Sequence, residues 1–145
     1  MGSDRFRAFS GGSHPKGHVH LLALRLLQQL RYPTIGLRSK SWEEFTGTDA
    51  PRLDLVITVC DQAAAETCPV WAGQPTSGHW SIPDPAAVDG AEENRIQAFA
   101  TAYELLLAKI TSLVQLPVGS LSTSALEFHL DRIAGIPAST QSDAS

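Results

Sequence analysis

Two cysteines and an aspartate in one stretch of the sequence could together form a redox site: Cys60, Cys68 and Asp84. Cys60 and Cys68 are the two cysteines of the chain, and seven residues separate them. Thiolates attack disulfides and other electrophiles, and a neighbouring pair of cysteines can pass a disulfide from one partner to another. Asp84 adds a carboxylate between two prolines, on a rigid turn. The stretch therefore predicts a redox site.

The position of Cys60 is set by the apolar run before it, Leu55–Val59, which predicts a β-strand. The run is apolar on both faces, which is typical of a central strand in a parallel sheet that helices cover on both sides. Open α/β sheets place reactive groups at the carboxyl ends of such strands, where the amide donors of a following helix favour a thiolate. Cys60 is thus either a reactive thiol or a small buried side chain, and its spacing leaves both interpretations open.

The segment between the two cysteines, Asp61–Thr67, is rich in alanine and predicts a short helix. An intact helix would hold the two sulfur atoms on the order of 10 Å apart, whereas a disulfide needs Cα atoms within about 7 Å of each other. A helix this short is marginally stable in water. We therefore expect the segment to unwind and to allow a reversible Cys60–Cys68 disulfide, which would act as a relay.

Asp84 and His79 each have a second interpretation. Asp84 lies between Pro83 and Pro85, where an aspartate commonly bonds the amides of its own turn. His79 could join the two cysteines in a metal site, but zinc ligands usually come in closely spaced pairs and this spacing does not match them. No metal site and no bound cofactor are predicted.

The composition limits the class of protein. The 145 residues are enough for one domain, and 43% hydrophobic with 18% charged residues is ordinary for a soluble globular chain. The net charge of −4 argues against nucleic acid or an anionic membrane as the main partner. No apolar run approaches the roughly 20 residues that span a bilayer, and the first residues lack a signal-peptide core. We therefore predict a cytoplasmic protein, and in a reducing compartment a cysteine pair is more often catalytic or metal-binding than structural.

The rest of the sequence predicts alternating strands and helices in a single domain, residues 1–135, with a disordered tail over residues 136–145. The predicted strands are Phe6–Ser10, Leu55–Val59 and a short one over His79–Pro85 that runs into the turn. The predicted helices are His18–Arg31, a short one from Ser41 to about Gly47, a long one with the acids of Asp89–Glu93 at its start and Pro117 as its stop, and Ser122–Ala134. The last helix should have Leu126, Leu130 and Ile133 on one face and end at Gly135. The long helix should bury a stripe formed by Ile96, Phe99, Tyr103, Leu106, Ile110 and Leu113. This alternation favours an α/β fold with a parallel sheet.

Four blocks of sequence identify a resemblance to a known family. They read FRAFSGGSHP (Phe6–Pro15), LRSKSWEEF (Leu37–Phe45), LDLVITVCDQAAAETCPVWAGQP (Leu53–Pro75) and HWSIPDPAAVDG (His79–Gly90). From Arg5 to about Leu116 the chain resembles the thioredoxin-coupled arsenate reductases, which have the low-molecular-weight tyrosine phosphatase fold. The resemblance implies three α/β/α layers around a short parallel sheet.

The resemblance also implies a mechanism. In this family a cysteine on a Cys-x5-Arg loop attacks arsenate, and a cysteine matching Cys60 attacks that first cysteine and releases arsenite. A cysteine matching Cys68 then attacks Cys60, and the resulting disulfide is reduced by a thioredoxin-type reductant as co-substrate. The aspartate matching Asp84 is the general acid of the phosphatase step. The implied catalytic residues are therefore Cys60, Cys68 and Asp84, and the implied substrate is arsenate or a similar oxyanion.

The sequence departs from the family at its start, because it contains no Cys-x5-Arg segment. By resemblance, the family's first strand, anion loop and helix would precede Arg5, so we expect a truncated chain that is inactive alone. Its strands would then flank a gap, which dimerisation or a separate N-terminal segment would fill. Two other functions remain possible on this evidence. One is a phosphatase-like hydrolase, and the other is a non-catalytic fragment or partner-binding domain.

Overall fold

The C-terminal helix shows most plainly how the sequence determines the fold. The computed structural model describes residue 2, residues 4–61 and residues 69–137. Its last helix, Thr123–Ala134, is capped by the Ser122 hydroxyl, which accepts a hydrogen bond from the Ala125 amide at 3.1 Å. Leu126, Leu130 and Ile133, spaced to lie on one face, are all buried. Gly135 ends the helix. The predicted helix, its buried face and its terminal glycine are confirmed.

The described residues contain two strands and three α-helices, numbered here in chain order. The strands are β1 (Leu55–Thr58) and β2 (Thr76–His79), and the helices are α1 (Leu21–Gln29), α2 (Glu92–Val114) and α3 (Thr123–Ala134). Single turns of 3₁₀ helix occur at Trp42–Phe45, Pro85–Ala87 and Val118–Ser120. The chain has a small α/β fold, and the predicted fold class is confirmed.

Strands β1 and β2 pair in parallel, with Leu55 opposite Thr76 and Thr58 opposite His79. Two features of the sheet differ from the prediction. Strand β2 ends at His79 instead of beginning there, and every residue of β1 is half-buried instead of fully covered. Among the described residues β1 pairs with β2 alone, so it is an edge strand here and its second edge has no ladder.

The core lies between this sheet and the last helix. Trp80 and four helical side chains form one buried cluster, with Leu55 and Ile57 of β1 packed against it. Helix α3 approaches β2 closely, since a Cβ atom at Gly78 would lie only 3.0 Å from Leu130 Cδ1. The indole of Trp80 donates a hydrogen bond to the Leu130 carbonyl at 3.3 Å, which satisfies its buried N–H. The helical members of the cluster are Leu113, Leu126, Leu130 and Ile133.

Helix α2 forms as predicted, and Phe99 and Leu113 of its predicted stripe are buried, but other positions of the buried face differ. Ile96 and Ile110, expected inside, are 45% and 38% exposed, whereas Ala102 and Lys109 are buried. The Lys109 ammonium donates to the carbonyls of Ile133, Ala134 and Ile136, at 3.3, 2.8 and 2.7 Å respectively. It thereby caps the C-terminus of α3, where a positive charge is favourable, although burial lowers the pKa of Lys109.

Ile136 therefore does not belong to a disordered tail, since its carbonyl binds Lys109 and its side chain packs against the core. The predicted tail beyond residue 137 lies outside the described residues.

The N-terminal region has less regular structure. The predicted strand Phe6–Ser10 is wrong: this segment has no ladder, and the nearest pairing is an isolated parallel bridge between Gly12 and Ser41. A strand needs a neighbour to bond its amides and carbonyls, and among the described residues this segment has none beside it. The short helix predicted from Ser41 is confirmed as a 3₁₀ turn, with the Ser41 hydroxyl accepting from the Glu43 amide at 3.2 Å.

His20 caps the N-terminus of helix α1, and its Nδ1 accepts a hydrogen bond from the Leu22 amide at 3.1 Å. It ends before Pro33, because Arg31 adopts a left-handed conformation with φ 65°. The amides of Arg31 and Tyr32 then bond the carbonyls of Gln28 and Leu27, which is a Schellman motif. Glycine usually occupies this left-handed position.

Candidate active site

Cys60 lies two residues after the end of β1, at the carboxyl end of the sheet where the sequence placed it. Its side chain is an exposed free thiol. The alternative that Cys60 is a buried core cysteine is therefore wrong. Cys68 and the rest of the predicted helix after Asp61 lie outside the described residues.

Beside Cys60 is a hydrogen-bonded chain of four side chains: Thr58, His79, Asp61 and Ser81. The Thr58 hydroxyl is 2.7 Å from His79 Nδ1, and His79 Nε2 is 2.8 Å from Asp61 Oδ1. The same Asp61 oxygen accepts a hydrogen bond from the Ser81 hydroxyl at 2.9 Å. The register of the sheet creates this chain, because it places Thr58 opposite His79 on the same face.

The partners determine which nitrogen of His79 carries a proton. A carboxylate only accepts hydrogen bonds, so Nε2 must be the nitrogen that donates to Asp61. In neutral histidine Nδ1 is then unprotonated and accepts from the Thr58 hydroxyl. The hydrogen bonds from His79 and then Ser81 lower the pKa of the Asp61 carboxyl. Asp61 therefore remains a carboxylate over the whole neutral range.

Sequence reasoning missed this chain of side chains. It considered His79 only as a metal ligand and gave Asp61 no role beyond the start of a helix. No spacing rule joins residues 58, 61, 79 and 81, because the pairing depends on the register between strands that are about twenty residues apart in sequence. The useful signal was a threonine and a histidine at the ends of two predicted strands, each followed by a polar residue.

A cleft of about 350 Å³ opens on the face of the sheet that carries Thr58 and His79. Since Leu55 and Ile57 pack into the core, side chains alternate so that Val56 and Thr58 point to the other side. Trp71 lies at the wall of this cleft, and its ring is nearly perpendicular to that of Trp42, with 5.9 Å between the ring centroids. The lining residues are Val56, Thr58, Trp71, Ser77, Gly78, His79 and Asp131.

Asp84 lies on the rigid turn that the sequence predicted. Its Oδ1 accepts a hydrogen bond from the Ala86 amide at 2.9 Å and caps the 3₁₀ turn Pro85–Ala87. The carboxylate is exposed. This geometry is that of a turn aspartate, and it leaves one carboxylate oxygen outside that bond.

The part of the chain that is described contains no group of three or more histidine, cysteine, aspartate or glutamate side chains that could hold a metal ion.

The comparison with protein families agrees with the fold. The model of the low molecular weight phosphotyrosine protein phosphatase family matches residues 1–122, so the chain belongs to this family of enzymes. The family includes phosphatases and arsenate reductases. No curated protein matches the sequence. In the described residues no helix is long and apolar enough to cross a membrane.

Proposed function

We propose that the chain is an arsenate reductase-type oxidoreductase and that Cys60 and Cys68 form its thiol–disulfide relay. The observation that carries the proposal is the exposed free thiol of Cys60 at the carboxyl end of β1. Seven residues further on is the second cysteine, followed by the HW and DP pairs typical of the reductases. A cytoplasmic location is part of the proposal, because the relay must begin with reduced thiols.

The relay needs a third thiol, and the 145 residues contain only two cysteines. We infer that the thiol attacking arsenate comes from outside these residues. The Cys60 thiolate attacks the sulfur of the resulting thiol–arsenate adduct, so that an S–S bond forms, the S–As bond breaks and its electron pair reduces arsenate to arsenite. The Cys68 thiolate then attacks the Cys60 sulfur and frees the first thiol. A thioredoxin-type dithiol reduces the Cys60–Cys68 disulfide and becomes a disulfide itself.

Asp84 would serve as the general acid if it acts as its family counterparts do. Its position on the Pro83–Pro85 turn supports this role, because the turn holds the exposed carboxylate in a fixed place.

Two measurements test the proposal. The purified chain alone, with arsenate, thioredoxin and its reductase, should show no turnover above background. After mild oxidation and blocking of free thiols, mass spectrometry should show a Cys60–Cys68 disulfide that thioredoxin reduces, and Cys60→Ser should abolish it. Two free thiols in folded, oxidised protein would contradict the relay.

The second candidate function is phosphate ester hydrolysis, because the matching family model is that of phosphotyrosine phosphatases. Hydrolysis of this kind does not use the Cys60–Cys68 pair. A Cys68→Ser variant separates the two functions when a segment carrying a Cys-x5-Arg anion loop is added to the assay. Hydrolysis of p-nitrophenyl phosphate would then be unchanged, whereas reduction of arsenate would stop.

A further inference from the structure

We propose that Asp61 is a positioning residue for Cys60 and that it acts through a clamp formed by Thr58, Asp61, His79 and Ser81. The clamp ties the residue after Cys60 to the end of β2. The proposal rests on the relay function given above, and it adds that Cys60 is held in place when the relay disulfide forms.

The clamp is anchored in the sheet. Thr58 and His79 are register partners at the ends of β1 and β2, and their side chains are 2.7 Å apart. Behind them, the amides of Trp80 and Ile82 bond the carbonyls of Thr58 and Val59, at 2.8 and 3.0 Å. His79 therefore has little freedom to turn, since its backbone is held in the sheet and its Nδ1 is occupied.

Asp61 connects these anchored residues to Cys60, its neighbour in the sequence. One carboxylate oxygen receives two hydrogen bonds from two different residues, His79 at 2.8 Å and Ser81 at 2.9 Å. Hydrogen bonds to a charged acceptor are about twice as strong as neutral ones, and two donors fix the direction of the carboxylate. The adjoining residue is Cys60, so a fixed Asp61 limits the positions that the Cys60 sulfur can reach.

A fixed thiol raises the effective concentration of one thiol toward the other. Closing a disulfide requires both Cα atoms to lie within about 7 Å and the sulfurs to meet in a narrow range of angles. When one cysteine is already held in place, only the other has to reach the bonding position, and less conformational freedom is lost as the disulfide forms. All four residues of the clamp lie before or after residues 62–68, the part of the sequence that carries Cys68.

The test uses glutathione, a small disulfide that supplies the oxidising equivalents. The Cys60 thiolate attacks glutathione disulfide and releases one glutathione thiolate, which leaves a mixed disulfide on Cys60. The Cys68 thiolate then attacks the Cys60 sulfur and releases the second glutathione. The two protons lost from the cysteines leave on the two glutathione thiols. The equilibrium position of the overall exchange gives the effective molarity of the pair.

The experiment compares the full chain with clamp variants at neutral pH. Asp61→Asn should lower the effective molarity about tenfold and Ser81→Ala about threefold, because each weakens the hold on residue 61. Ser81→Thr, which keeps the hydroxyl, should restore the wild-type value. Asp89→Asn removes one exposed carboxylate elsewhere and should change nothing. In a Cys68→Ser background, alkylation of Cys60 by iodoacetamide should stay within about twofold in all of them, since Cys60 is already exposed.

The outcomes separate the clamp from the relay. A wild-type disulfide with unchanged effective molarity in Asp61→Asn and Ser81→Ala would overturn the clamp and leave the proposed function standing. A raised effective molarity in both variants would also overturn it, because the four residues would then lock the reduced form. An effect in Asp61→Asn alone would show that charge matters and the hold through Ser81 does not, which again overturns the clamp. Failure of the wild-type chain to form the disulfide would overturn the proposed function, and the clamp with it.

Discussion

The chain contains two regions that are built very differently, residues 4–53 and residues 76–137. In the second region Trp80 and the helices α2 and α3 enclose a contiguous buried cluster. In the first region the buried hydrophobic side chains are Leu22 and Phe45, whereas many large apolar side chains are exposed. The exposed set includes Phe9, Leu21, Leu30, Tyr32, Ile35 and Leu37.

The difference follows from what each region has to pack against. Helix α3 lies across β2, so its apolar face meets Leu55 and Ile57 as well as Trp80. In the N-terminal region the segment 6–10 forms no strand, and the described residues form no second ladder on β1. Apolar side chains become buried only where a partner surface exists. The second region therefore has a packed core, whereas the first region exposes much of its apolar surface.

The largest expected effect is a leucine truncation in the packed half. Leu130 is 1% exposed, so Leu130→Ala should lower the free energy of unfolding by about 3 kcal/mol through lost burial and a cavity. Leu21→Ala, the same change at a residue that is 58% exposed in α1, should cost less than about 1 kcal/mol. Urea unfolding of both variants measures this, and equal losses would remove the distinction between the two regions.

The next effect concerns the buried lysine that joins α2 to α3. Lys109→Met keeps the hydrocarbon chain but removes the donor to three carbonyls, so it should lower the free energy of unfolding by about 2 kcal/mol. Lys16→Met in an exposed loop is the matched control and should be neutral. If both variants unfold at the wild-type urea midpoint, Lys109 does not hold α3 in place.

A smaller effect is expected at the contact between the two regions. The Arg5 guanidinium donates to the carbonyls of Val114 and Leu116, at 2.9 and 2.7 Å, and so holds the N-terminal segment to the end of α2. Because these bonds are exposed, Arg5→Ala should cost about 1 kcal/mol. The control is Arg7→Ala, which removes a guanidinium that lies over the ring of Phe9 and should lower the free energy of unfolding by less. The two variants are compared by thermal unfolding, and a larger loss for Arg7→Ala would contradict this assignment.

The smallest expected effect is the pH dependence of stability that the Asp61 carboxyl causes. The hydrogen bonds from His79 and Ser81 lower its pKa in the folded protein. A lowered folded pKa stabilises the protein above the ordinary aspartate value of about 3.9, and this contribution disappears as the pH falls through the folded pKa. Wild type should thus be more stable than Asp61→Asn at neutral pH, and the two urea midpoints should converge in acid. A constant difference at every pH would contradict the shift.

The sequence predicted what local patterns determine and missed what depends on the sheet. The extent, buried face and end of helix α3 were predicted, because the leucines and Gly135 act within one helix. The buried face of α2 was right at Phe99 and Leu113 but missed Lys109, because a lysine satisfied by the end of another helix looks polar in sequence. Strand Phe6–Ser10 was wrong, because alternation predicts a strand without showing a neighbour. The position of Cys60 at the end of a strand followed from the sequence, whereas its exposure and its clamp were visible only in the structure.

The central claim is that the edge of β1 away from β2 forms no ladder within residues 4–61 and 69–137, and amide hydrogen exchange at single-residue resolution tests it most directly. The carbonyls of Asp54 and Thr58 accept from Thr76 and Trp80, so residues 54, 56 and 58 face β2 while Leu55 and Ile57 face the open edge. At concentrations where the chain is monomeric, the amides of Val56 and Thr58 should be protected, and those of Leu55 and Ile57 should exchange rapidly. Equally slow exchange of all four amides would show that the edge is paired and would contradict the account.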